Sequence, residues 1–152
     1  MKLTLAAVGR LRPEYRTLAD EYAARVARFM ELQEVEVREA SRAPSPAVQL
    51  KEEGSRLREK IPAGSRVVVL DRTGRGLSSE ALAKELDRWR TAAKPVSLVI
   101  GGSNGLAADL VASADLAWSL GPLTLPHELA RVVVLEQVYR AWTILRGEPY
   151  HK

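Results

Sequence analysis

Two rhythms of apolar residues alternate along the chain. Short aliphatic runs predict strands at Lys2–Val8 (KLTLAAV), Arg66–Asp71 (RVVVLD) and Pro95–Ile100, the last two buried on both faces. Leu32–Ala40 (LQEVEVREA) alternates instead, which predicts a strand with one solvated face. Helical spacing fills the intervals. Leu18, Tyr22, Val26 and Phe29 mark a helix over Pro13–Phe29, with Pro13 suited to its first turn. Ser41–Pro46 is a polar loop, Val48–Ile61 a charged helix, and Pro62–Ser65 breaks it. Asp71 and the turn Arg72–Gly76 close the third strand. Ser78 then caps a helix to about Ala93, with Glu80 in its first turn. A helix from about Ala107 to Ala114 and a short strand near Ala117–Leu120 come next. Pro126 starts a long helix ending near Gly147.

Strands alternating with helices predict an α/β fold, a mostly parallel sheet with helices on both faces, as a single domain over 1–152. The last helix is unusual. Val132–Leu135 is apolar throughout, and Val138, Tyr139, Trp142, Ile144 and Leu145 follow. That exceeds one stripe. A helix apolar on two sides needs two partners: its own sheet and, by this reading, a second copy of the chain. A homodimer is expected.

Composition narrows the chemistry. The chain has 152 residues and no cysteine, which excludes disulfides, thiolate metal sites and a cysteine nucleophile. With only two histidines, His127 and His151, no metal site is expected. No apolar run approaches the roughly 20 residues of a membrane span, and Gly9 and Arg10 interrupt the N-terminal run, so a cytoplasmic protein is expected. The net charge of +4, carried mostly by arginine, is compatible with a nucleic-acid partner.

Four stretches carry candidate chemistry. "GGSNG", Gly101–Gly105, follows a buried strand, where parallel sheets bind ligands. Its spacing is neither that of a dinucleotide fingerprint nor that of a P-loop, and a plain sharp turn is the alternative. In "AWSLGPLTLPHELARV" the apolar Leu123–Leu125 should tuck inward, leaving backbone groups for a flat heterocycle such as adenine, for protein or for water. Asp71 either meets a ribose hydroxyl or caps its turn, and Arg72 and Arg75 either meet phosphate or stay solvated. The tail "RGEPYHK" presents Tyr150, His151 and Lys152, a hydrogen-bonding and proton-transferring set or a frayed terminus.

"VIGGSNG", "LTLPHELARVVVLEQVYRAW", "RGEPYHK" and the opening "MKLTLAAVG" together resemble the small SPOUT-class methyltransferases of large-subunit ribosomal RNA. The resemblance spans the chain. Some relatives carry Pro-Glu where this chain has Ser103-Asn104, but the glycines remain. It implies a deep trefoil knot over about residues 95–147, with the last helix passing through the loop of residues 101–125. It implies S-adenosylmethionine bound by Leu70, by Gly101, and by the backbone of Leu120, Gly121, Pro122, Leu123, Thr124 and Leu125. It further implies an obligate homodimer. The substrate it implies is N3 of a pseudouridine in helix 69 of large-subunit rRNA, read on the assembled ribosome by a chain with no room for an RNA-binding appendage.

N3 carries a proton that must leave, so a general base or a stabilising donor is needed. His127 follows Pro126 at a helix N-terminus, which favours a neutral imidazole and so a base; bonding of the nearby backbone is its structural alternative. Tyr150 and His151 could reach the substrate across a dimer interface. Arg131 and Arg140 project from the last helix and could bind phosphate or polarise a carbonyl. The tail pair and Arg140 are the expected substrate-handling groups. Two rivals stay open: a nucleotide-binding oxidoreductase, and a ribosome-associated factor without catalysis.

Overall fold

The computed structural model describes residues 1–151. Its elements run β1 (Lys2–Val8), α1 (Pro13–Val26), β2 (Glu31–Val37), α2 (Pro46–Lys60), β3 (Arg66–Gly76), α3 (Ser79–Ala92), β4 (Val96–Ile100), α4 (Ala108–Ser113), β5 (Leu116–Ser119) and α5 (His127–Leu145), then a 3-10 turn at Pro149–His151. The strands form one sheet in the order β2-β1-β4-β3-β5. Every neighbouring pair is parallel. All strands therefore deliver their carboxyl ends to the same edge, and the connecting loops gather there.

Strand periodicity of two divides the core. Leu3, Leu5 and Ala7 of β1, with Leu98 and Ile100 of β4, face α1, α3 and α5. Ala6 and Val8, with Val69 and Val99, face α2 and α4 through Leu57 and Leu110. Val134, Leu135, Val138 and Ala141 of α5 are fully buried in the first layer. Side chains of the Val and Leu kind stabilise by about 1.5–3 kcal/mol each when taken out of water.

α5 packs against both α1 and α3 as well as the sheet. Both apolar sides thus find partners inside one chain, and the pattern alone does not call for a second copy. Arg131, in the second turn of α5, also departs from expectation. Arg131 does not project outward: it is buried, donating to the Gly9 carbonyl at 3.3 Å and to Glu36, with Glu34 at 3.7 Å. Arg16 closes the network by a fork onto Glu34 at 2.9 and 3.0 Å. Arg131 is an internal tie between α5, β1 and β2, not a free phosphate binder.

Several boundaries move for local reasons. α1 stops at Val26, and the turn after it carries Phe29, which stacks on Tyr139 and Trp142 with ring centroids 6.1 and 5.6 Å apart. α2 begins at Pro46 because Ser45 accepts the Val48 N–H at 3.2 Å. Ser78 caps α3 in the same way, accepting from Ala81 at 3.0 Å. β2 ends at Val37, three residues before the sequence pattern does. β3 pairs Leu70 and then Arg75 with the same residue, Trp118, so the residues between them bulge out of the ladder. No helix among the described residues is long and apolar enough to cross a membrane.

Candidate active site

A cleft opens at the carboxyl edge over β4, β3 and β5. Its empty volume is about 620 Å³ counted to the open mouth. Leu70, Gly101, Leu120 and Gly121 line it, as do Leu123, Thr124, Leu125 and His127. Residues far apart in sequence are thus brought together around one cleft. Pro122 is exposed at the loop tip and is not part of the wall.

The glycines have a backbone reason. Gly105 donates its N–H to the Gly102 carbonyl at 3.0 Å and adopts φ +78°, closing a tight turn around Ser103 and Asn104. A Cβ at Gly101 would land on the Gly105 carbonyl. The sharp turn and the ligand-facing wall are therefore the same piece of chain. The β3 bulge makes another wall. Asp71 accepts from the Thr73 N–H at 3.0 Å and from its hydroxyl, so it caps its own turn, as one of its two expected roles required. Arg72 lines the cleft, whereas Arg75 pairs with Glu85 at 2.7 Å.

The loop after β5 departs from expectation. Ser119 and Gly121 exchange hydrogen bonds at 3.1 Å, and Gly121 sits at φ +124°, which turns the chain outward. Leu123 is 76% exposed instead of tucked inward. The loop forms a lip over the cleft. Trp118 was not singled out by sequence reading. It is buried, lines the cleft, and its indole N–H has no partner. A tryptophan in the short strand before a glycine–proline turn was the available signal.

α5 enters the cleft at His127, and Gly9 at the end of β1 approaches its Nε2 closely enough that a Cβ there would sit at 4.0 Å. The next residue fixes the helix start. Glu128 accepts from the Arg12 backbone N–H at 2.7 Å and from its side chain at 2.9 Å. These bonds, the backbone one foremost, hold the Glu128 carboxyl below its ordinary range.

The tail residues lie elsewhere. Tyr150 donates to Glu136 at 3.1 Å, packs edge-on against Tyr139 at 4.7 Å, and lies 4.8 Å from the Arg140 guanidinium. Arg140 donates to the same Glu136 oxygen at 2.9 and 2.6 Å. Burial first, and then the charge of Glu136, pushes the Tyr150 phenol up to about 12. Tyr150 is therefore a donor near neutral pH and not a base. His151 is exposed, with its ring nitrogen 3.1 Å from the Glu148 carbonyl. Lys152 lies outside the described residues. Thirteen helix positions separate His127 from Arg140, about 20 Å at 1.5 Å per residue. One chain does not bring the tail to the cleft. Among the described residues no group of three or more histidine, cysteine or acidic side chains could hold a metal.

Comparison with known proteins fits this geometry. The family model described as "Predicted SPOUT methyltransferase" matches residues 1–151. The protein called ribosomal RNA large subunit methyltransferase H of Pseudomonas putida strain F1 is 44% identical over 155 residues, covering 100% of both chains. The same-named protein of Pseudomonas aeruginosa strain PAO1 is also 44% identical over full length. Among solved structures, a tRNA (m1G37) methyltransferase from Aquifex aeolicus superposes with a TM-score of 0.58 at 15% identity, over 92% of this chain and 70% of that one. A probable methyltransferase from Bordetella pertussis gives 0.56 at 14% identity, over 92% and 95%. An AdoMet-bound rRNA methyltransferase from Sinorhizobium meliloti gives 0.51 at 14% identity, over 91% and 56%. With a parallel sheet, a glycine-turned cleft at its carboxyl edge and this full-length match, the chain belongs to the SPOUT methyltransferase family.

Proposed function

We propose that this chain transfers a methyl group from S-adenosylmethionine to large-subunit ribosomal RNA, at N3 of a pseudouridine in helix 69 of the assembled ribosome, in the cytoplasm. The observation that carries the reading is the cleft. Its walls are mostly leucines and bare glycine backbone, with the buried Trp118 among the lining residues. Such a lining suits a flat base with polar edges and an aliphatic chain. The full-length likeness to the large-subunit methyltransferases supplies the RNA class.

S-adenosylmethionine would supply an electrophilic methyl group on sulfur. Leu70, Gly101 and the backbone of residues 120–125 would hold it, with the Leu123 lip closing over it. His127 stands at the cleft and would accept or orient the N3 proton. Tyr150 and Arg140, as donors, would steady the developing charge, and His151 would serve as an exposed base. Because the Glu136–Arg140 cluster that holds Tyr150 begins about 14 Å along α5 from His127, the reading has a homodimer in which one subunit's tail serves the other's cleft. It also has α5 drawn through the loop of residues 101–125 as a trefoil knot. Much of the rate would come from positioning nucleophile and methyl group in line.

The test is titration calorimetry with S-adenosylmethionine, followed by methyl transfer to 70S ribosomes. Saturable micromolar binding and a methylated large-subunit RNA are expected. Silence in both, with ribosomes present, would leave a ribosome-associated binding factor. Binding of a nicotinamide dinucleotide in place of S-adenosylmethionine would revive the oxidoreductase.

A further inference from the structure

Most arginines of this chain are spent on internal ion pairs. Among the described residues, Arg10, Arg28, Arg38, Arg42, Arg66 and Arg72 take no part in one. Their placement is uneven. Arg10 follows β1, Arg38 and Arg42 follow β2, and Arg72 sits in the β3 bulge, so these four share the carboxyl edge with the cleft. Arg28 and Arg66 lie at the opposite edge, before and at the start of strands.

Two adjoining grooves run along that edge beside the cleft. Arg10 and Arg38 line one, Arg38, Arg42 and Arg56 the other, and Arg38 and Glu39 belong to both. The grooves also hold carboxylates, but most are neutralised. Glu36 is held by Arg131, and Glu52 lies 3.9 Å from Arg56. Glu39 accepts from Ser103 of the glycine turn at 3.4 Å, which joins the groove to the cleft. Arg10, Arg38 and Arg42 leave a net positive excess over the remaining Glu39.

The surface is also held in place. The Ala40 N–H donates to the buried Glu53 carboxylate at 2.9 Å, the Arg56 side chain donates to the Arg38 carbonyl at 2.7 Å, and the Gly9 N–H donates to the Val37 carbonyl at 2.8 Å. These bonds fix the backbone that carries the cations and leave their guanidinium groups exposed. Two strand spacings, about 10 Å, separate β2 from β4 and its glycine turn.

We propose that Arg10, Arg38 and Arg42 form a phosphate-binding track that seats the backbone of the RNA substrate beside the cleft. The guanidinium fork matches phosphate, and a preset arginine loses less freedom on binding it. Arg72, on the far side of the cleft, would meet the strand where it leaves. This track rests on the RNA-methyltransferase reading and gives the cleft a way to place its substrate.

The experiment compares Arg10→Ala/Arg38→Ala/Arg42→Ala with a charge-matched control, Arg28→Ala/Lys60→Ala/Lys94→Ala, all exposed positions. Each is measured for S-adenosylmethionine affinity, for 70S ribosome binding across salt, and for methyl transfer. The track variant should keep cofactor affinity within two-fold and lose ribosome affinity at least ten-fold. Its salt slope should fall by about 2, at about 0.7 per phosphate contact on single-stranded RNA. The control should stay within two-fold, and Arg→Lys at the same three positions should restore most of the slope. Equal losses in track and control variants, or an active wild type beside an unaffected track variant, would overturn the track alone. A wild-type chain that transfers no methyl group would overturn the function beneath it.

Discussion

The two ends of α5 differ in what one chain completes. At the amino end, His127 enters a cleft walled by backbone from three separate stretches, and Glu128 is fixed by Arg12. At the carboxyl end, Glu136 collects Arg140 and Tyr150 into a cluster that begins about 14 Å away along the helix. The first end is a concave site lined by the glycine turn and the loop after β5. In the second, Arg140 and Tyr150 spend their hydrogen bonds on Glu136. A site is thus recognisable by its open concave wall, and a cluster rich in catalytic residue types can still be closed.

The sharpest way to break this contrast is at the cleft wall. Gly101→Val forces a side chain into the Gly105 carbonyl, so the glycine turn must open. S-adenosylmethionine binding should fall at least a hundred-fold by calorimetry, while removal of Tyr150 and His151 should change it less than two-fold.

Arg131→Ala and Arg140→Ala compare the two arginines of α5 directly. Arg131 has a side chain only 3% exposed, and breaking a buried pair costs about 3 kcal/mol or more. Arg140 is partly exposed, so its loss should cost under about 1 kcal/mol. Urea denaturation measures both, and equal costs would refute the assignment of Arg131 as an internal tie.

His151→Ala should leave folding and cofactor binding intact and cut methyl transfer ten-fold or more, the low end of an acid–base contribution. Wild-type turnover in that variant would remove His151 from the chemistry.

The smallest effects are pH-dependent and opposite in sign at the two ends. Glu128 has a depressed carboxyl pKa in the folded chain. Its stabilisation is present above the unfolded carboxylate range and is lost as pH falls through the depressed value. Glu128→Gln should therefore lower Tm at neutral pH and make no difference in strong acid. Tyr150 has a phenol raised from 10.0 to about 12, so its stabilisation is present below pH 10.0 and lost as pH climbs toward about 12. Tyr150→Phe should flatten that alkaline decline in thermal melts.

The sequence by itself determined the alternation of strands and helices, the parallel sheet, and the pocket-forming stretches. Burial repeats every two residues in a strand and every 3.6 in a helix, so spacing within one element reports it. Glycine was legible at the turn because no other residue fits there. Tertiary structure alone decided the rest. Arg131 reads as a surface cation until Glu36, 95 residues away in sequence, is folded against it. Leu123 reads as buried until the Ser119–Gly121 turn swings it outward. The β3 bulge shows only in the pairing with a neighbouring strand, where Leu70 and Arg75 both register with Trp118. Local spacing encodes which face of an element is apolar. Which charge meets which, and which loop stays open, depends on contacts between distant elements that no local period records.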